Sequence, residues 1–176
     1  MTSLAVKIRQ LGAALDKAGI PHAFGGALAL AWCTGSPRAT LDIDLNVFVE
    51  VNSAELVFAA LPNDVERDAS DIAAVGRDGQ VRLWWDRTPL DLFFDTTDFH
   101  RGLAGRARRE RFGGADVSFL SCGDLAVFKA FFNRTKDWAD LEEMVTVRSF
   151  EVDVAAGVLA EYLGEDDHRI ARLRSL

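Results

Sequence analysis

Leu4, Ile8, Leu11 and Leu15 recur at the spacing of one helical face, and Gly19 follows as a stop. This predicts an amphipathic helix over residues 3–18. Pro21 to Phe24 then reads as a short buried strand ending at Gly25-Gly26, and Ala27 to Trp32 as a helix with an apolar face. In LDIDLNVFVE (41–50) carboxylates or amides alternate with apolar residues, the period of a strand with one wet face. Asn52 and Ser53 are placed to cap a helix over 54–61, which Pro62 stops. Gln80 to Asp86 and Pro89 to Asp95 predict a hairpin joined through Arg87-Thr88. A short helix near 97–104 and strands near 106–112 and 115–121, joined by Gly113-Gly114, complete the sheet. From Gly123 the pattern is helical only, over 125–133, 137–146, 154–163 and a charged tail to about Arg174. The fold class is therefore α+β, with a core over 1–122 and a small C-terminal helical region over 123–176 packed on it.

Composition narrows this little. The chain has 176 residues, 49% of them hydrophobic and 27% charged, the values of an ordinary globular domain. No run is long and apolar enough to span a membrane and no export signal opens the chain, so the expected location is cytoplasmic, with no membrane partner. Cys33 and Cys122 stand far apart without metal-ligand spacing and read as reduced, structural thiols. Charge changes the picture more. The net charge is −7, but Arg101, Arg106, Arg108, Arg109 and Arg111 form a basic strip in an otherwise acidic chain.

The chemistry lies in the carboxylates. Asp42 and Asp44, two apart in a strand, leave the same face. Side by side they repel unless a divalent cation lies between them, and oxygen-only ligands suit Mg²⁺ or Mn²⁺. Asp91 is a lone carboxylate in the apolar strand PLDLFF, so it faces solvent at an edge or points into a polar site as a third ligand or a base. An Asp-x-Asp strand alone is usually a solvated face. Here Gly25-Gly26 precedes it at a strand-to-helix turn, where backbone N–H groups and the helix dipole can receive a phosphate.

At these residues the chain resembles the DNA polymerase β-type nucleotidyltransferase superfamily: GGALALAWCTGSPRATLDIDLNVFV (25–49), then PLDLFF (89–94). SCGDLAVFKAFFNRTKDWADLEEM (121–144) resembles a helix pair of its minimal and abortive-infection (AbiEii-type toxin) branch. The resemblance implies a nucleotidyltransferase-like mixed sheet flanked by helices, and transfer of a nucleoside monophosphate from an NTP to a hydroxyl. It implies that Asp42, Asp44 and Asp91 bind Mg²⁺ (or Mn²⁺), with Asp91 also aligning or deprotonating the hydroxyl. Gly25 and Gly26 would cradle phosphates, Lys129 would face them, and Asp137 would fix that lysine or the nucleotide, with Asp140 a weaker candidate.

Arg38 and Thr40 precede the Asp-x-Asp strand. Arg38 could reach a phosphate or be a solvated loop arginine, and the Thr40 hydroxyl shares the carboxylate face. Lys129, in LAVFKAFF, could equally snorkel to the surface. The basic strip either grips an RNA such as tRNA or keeps an exposed strand edge soluble. Trp85 and Phe132 are core residues or base-stacking surfaces. The branch resemblance suggests a toxin modifying tRNA, with a cognate antitoxin. The alternatives are transfer to an aminoglycoside-like small molecule or a protein side chain, and a non-catalytic nucleotide-binding regulator.

Overall fold

A computed structural model describes residues 2–176. In chain order the elements are α1 Leu4–Lys17, β1 His22–Phe24, α2 Gly26–Thr34, β2 Ile43–Glu50, a 3₁₀ turn Val51–Ser53, α3 Ala54–Ala60, β3 Val65–Glu66 and α4 Ala69–Asp78. They continue as β4 Gln80–Trp85, β5 Thr88–Asp95, α5 Asp98–Leu103, β6 Arg108–Phe112, β7 Ala115–Phe119, α6 Cys122–Phe132, α7 Thr135–Thr146, α8 Val152–Leu163 and α9 His168–Arg174. The chain divides into two compact units. One holds the residues through Leu28 together with Ala39–Leu120; the other holds Ala29–Arg38 and Ser121–Leu176.

The first unit is built on one mixed sheet in the order β3-β4-β5-β2-β1-β7-β6. β2 is antiparallel to β1 and parallel to β5, and β4 and β5 form the expected hairpin, though Asp86-Arg87 and not Arg87-Thr88 connects them. Strand alternation gives this sheet two unlike faces. Ile43, Leu45 and Val47 of β2, Leu90, Leu92 and Phe94 of β5, and Leu83 and Trp85 of β4 are buried. The opposite face carries Asp44, Asp91 and Arg82 in register. Trp85 is thus a core residue and not a stacking surface; its neighbour Trp84 is the exposed one.

On α1, Ile8, Leu11 and Leu15 are fully buried, as their spacing predicts. Lys7 is buried with them. Its ammonium donates to the Trp85 carbonyl at 2.6 Å and Thr88 Oγ1 at 3.0 Å, and pairs with Asp86 at 3.1 Å. Three partners match its three N–H groups, which makes the burial tolerable.

One local expectation fails for an identifiable reason. Ser53 does not cap α3, because the 3₁₀ turn runs directly into that helix and leaves Ser53 outside the extended capping conformation. Its hydroxyl donates to Asn52 Oδ1 instead. The helix α4 is started by a capping box: the Asp68 carboxylate accepts from the Ser70 and Asp71 amides, and the Asp71 carboxylate accepts from the Asp68 amide.

The second unit packs Leu125, Ala130, Trp138, Leu141, Met144, Ala156, Leu159, Ile170 and Leu173 into its interior. Cys33 and Cys122 are joined by a disulfide across 89 residues, with Cα atoms 5.5 Å apart. This corrects the reading of both as reduced thiols. The C-terminal end of α2 and the start of α6 meet in this unit, a proximity that no sequence spacing reveals. Among the described residues, no helix is long and apolar enough to cross a membrane.

Candidate active site

The carboxylates are positioned by strand register. Asp44 is paired with Asp91 across the parallel β2–β5 ladder, and Asp91 with Arg82 across the β4–β5 hairpin. Ladder partners project to the same side of a sheet, so Asp44, Asp91 and Arg82 form one row. Asp42 lies two residues before Asp44, just ahead of β2. Its Oδ1 accepts a hydrogen bond from the Thr40 hydroxyl, so Thr40 orients a carboxylate of the site.

Gly25 and Gly26 stand beside this row. The Gly25 amide donates to the Asp44 carbonyl at 2.9 Å, which fixes the turn to the start of β2. Gly26 has φ +53°, and a Cβ there would lie 1.8 Å from Asp44 Oδ2. The glycine therefore leaves room for the Asp44 carboxylate against the first residue of α2, where the positive end of the helix dipole favours an anion. Gly26→Ala is expected to destabilise the fold by about 2 kcal/mol or more, through both the left-handed backbone and the clash. A thermal melt measures this.

Asp91 is engaged. Arg82 Nε donates to its Oδ1 and Arg82 Nη2 to its Oδ2, both at 2.7 Å. The hydrogen bonds and charge of Asp91 hold the Arg82 guanidinium above its ordinary pKa, and Asp42 and Asp44 add to the effect. Arg82 thus lies in the field of all three carboxylates. The expected connection, Arg87-Thr88, would set Arg82 against Phe93; the observed turn at Asp86-Arg87 pairs it with Asp91.

Among the described residues, no three His, Cys, Asp or Glu side chains are gathered closely enough to hold a metal ion. The donor set nevertheless suits Mg²⁺ or Mn²⁺: three carboxylates from two adjacent strands on one face, with no nitrogen or sulfur among them. Asp42 and Asp44 would hold the ion, and Asp91 would join them once parted from Arg82.

Lys129, Asp137 and Asp140 come together in the second unit, all buried. Lys129 Nζ lies 2.5 Å from Asp140 and 3.8 Å from Asp137. Asp140 also pairs with Arg38, and Asp137 with Arg134 at 2.6 Å. Asp140 is the bridge of this cluster, a place its sequence pattern suggested less strongly than that of Asp137. Lys129 does not snorkel. Arg38 and Arg134, with 48% and 56% of their side chains exposed, are the members that meet solvent.

The basic strip is neutralised locally. Arg101 pairs with Asp98, Arg108 with Glu110, Arg109 with Asp16 and Arg111 with Asp116, while Arg106 stacks over Phe99. The strand β6 that carries three of them is a sheet edge, where charged side chains oppose pairing with other chains.

No family model matches the chain, and no curated protein matches it. Solved structures do. The chain is similar to the antibiotic-resistance factor ANT(2'')-Ia in its solution structure, with TM-score 0.62 and 15% identity over 97% of this chain and 95% of that one. It is similar to ANT(2'')-Ia in complex with adenylyl-2''-tobramycin, with TM-score 0.64 and 17% identity over 99% and 98%. An antigenic nucleotidyltransferase-like protein from Paracoccidioides brasiliensis aligns with TM-score 0.56 and 17% identity over 98% and 85%. The seven-stranded mixed sheet flanked by helices is thus a nucleotidyltransferase-like fold.

Proposed function

We propose that this chain transfers a nucleoside monophosphate from an NTP to a hydroxyl of a small polar acceptor, with Mg²⁺ or Mn²⁺ as cofactor. The observation that carries the proposal is the register that sets Asp91 beside Asp44, on the face where Asp44 meets the glycine turn and the start of α2. A divalent ion held by Asp42 and Asp44 would supply charge neutralisation for the triphosphate. The chain's own residues do the rest. Asp42 is oriented by Thr40, and Asp44 by its fit against Gly26. Asp91, next to buried Leu92 on β5, is a carboxylate on a rigid strand that can accept the proton of the attacking hydroxyl. Gly25 and Gly26 offer backbone to the phosphates. In the second unit Arg38 is held by Asp140, which Lys129 in turn fixes, and Asp137 steadies Lys129. Phosphoryl chemistry asks the protein mainly for position and charge compensation, and these groups provide both.

The acidic partners of Arg101, Arg108, Arg109 and Arg111 cancel the strip's local positive charge, which favours a small acceptor over RNA. The near-complete mutual coverage with ANT(2'')-Ia, seen with an adenylyl-tobramycin, supports the same choice. A second reading, the AbiEii-type toxin with a tRNA acceptor and an antitoxin, is favoured by the Lys129–Asp137–Asp140 cluster in the segment that resembles that branch. Incubating the protein with each labelled NTP, Mg²⁺, total tRNA and a panel of aminoglycosides separates the readings. Label is expected in the small-molecule fraction with pyrophosphate release. Label in tRNA would support the toxin reading, and NTP binding with no transfer to any acceptor would leave a non-catalytic nucleotide-binding regulator.

A further inference from the structure

Both oxygens of Asp91 accept from the fork of Arg82, so a metal ion or a proton arriving at Asp91 competes with that pairing. Arg82 is in register with Asp91, and Asp91 with Asp44, so its guanidinium is a cation set in the carboxylate row, where it offsets repulsion. The pairing is also easily parted. Arg82 is 57% exposed against 18% for Asp91, and a pair so open to water holds only weakly.

We propose that Arg82 is a positioning residue that acts as a resident counter-ion, holding Asp91 in the metal-free protein and yielding it when a divalent cation binds the row. The inference rests on the nucleotidyl-transfer reading above. Linkage sets its sign: a group that competes with the metal for Asp91 must weaken metal binding by as much as the metal weakens the fork. A residue that merely braced Asp91 for metal binding would have the opposite effect. Once released, the guanidinium stays on the same sheet face, and its planar donor pair matches a phosphate as well as it matched the carboxylate.

Mn²⁺ binding to the nucleotide-free protein, followed by electron paramagnetic resonance titration, tests this without any activity readout. Arg82→Gln is expected to tighten Mn²⁺ binding about two- to fivefold, and Arg82→Lys, which keeps the charge but loses the fork, by less. The rise in melting temperature on adding Mn²⁺ should likewise be larger in Arg82→Gln than in the wild type. Unchanged or weaker Mn²⁺ binding in Arg82→Gln overturns the proposal. Asp44→Asn is the control for the reading beneath it. If Asp44→Asn abolishes Mn²⁺ binding and Arg82→Gln does not alter it, only the counter-ion role fails. If Asp44→Asn leaves binding intact, or no protein in the set binds Mn²⁺, the carboxylate row is not a metal site and both fail.

Discussion

Asp44→Asn is expected to lower kcat/KM for nucleotidyl transfer about a thousandfold or more, the scale of losing several kcal/mol of charge stabilisation. The fold should survive, and the reason is local. Asparagine has the shape of aspartate, so it fills the space left by Gly26, and the Asp44 carbonyl that receives the Gly25 amide is untouched. Circular dichroism and a thermal melt should therefore overlay with wild type while pyrophosphate release disappears. The contrast with Gly26→Ala is the diagnostic part: there stability and activity fall together. Transfer retained by Asp44→Asn would remove the carboxylate row from the chemistry.

Lys129→Met should produce the largest loss of stability, about 3 kcal/mol. The substitution fits the space but leaves Asp137 and Asp140, both buried, without their shared ammonium. The loss sits at the lower end of the range for broken buried ion pairs because each carboxylate keeps a second partner, Arg134 for Asp137 and Arg38 for Asp140. For a chain of this size that corresponds to a melting temperature lower by roughly 6–12 °C. Urea titration measures the free energy directly. A variant as stable as wild type would mean that Lys129 contributes nothing to the cluster, and that its partners are satisfied without it.

Periodicity made most of the elements legible because their apolar positions face one core. The β2 pattern, with Ile43, Leu45 and Val47 inward and Asp42 and Asp44 outward, was readable as a strand with one wet face. The hairpin of β4 and β5 was readable from its two-residue connection. The helix α4 was not, since only Val75 of its residues is buried and its start is marked by Asp68 and Asp71, a box written with two aspartates in place of the usual Ser or Thr and Glu. Candidate chemistry divides the same way. Asp42, Asp44 and Asp91 could be listed from type and spacing, because strand alternation places them. The engagement of Asp91 by Arg82 required register, and the bridging place of Asp140 required the packing of α6 against α7. The disulfide required tertiary proximity alone, which is why the spacing of Cys33 and Cys122 misled.

That disulfide also alters what a cut in the backbone does. Because the bond spans 89 residues, the segment between the two cysteines is a covalent ring that contains six of the seven strands. A protease that nicks any loop inside the ring frees no fragment, and the nicked molecule keeps its full mass on a gel until a thiol reductant opens it.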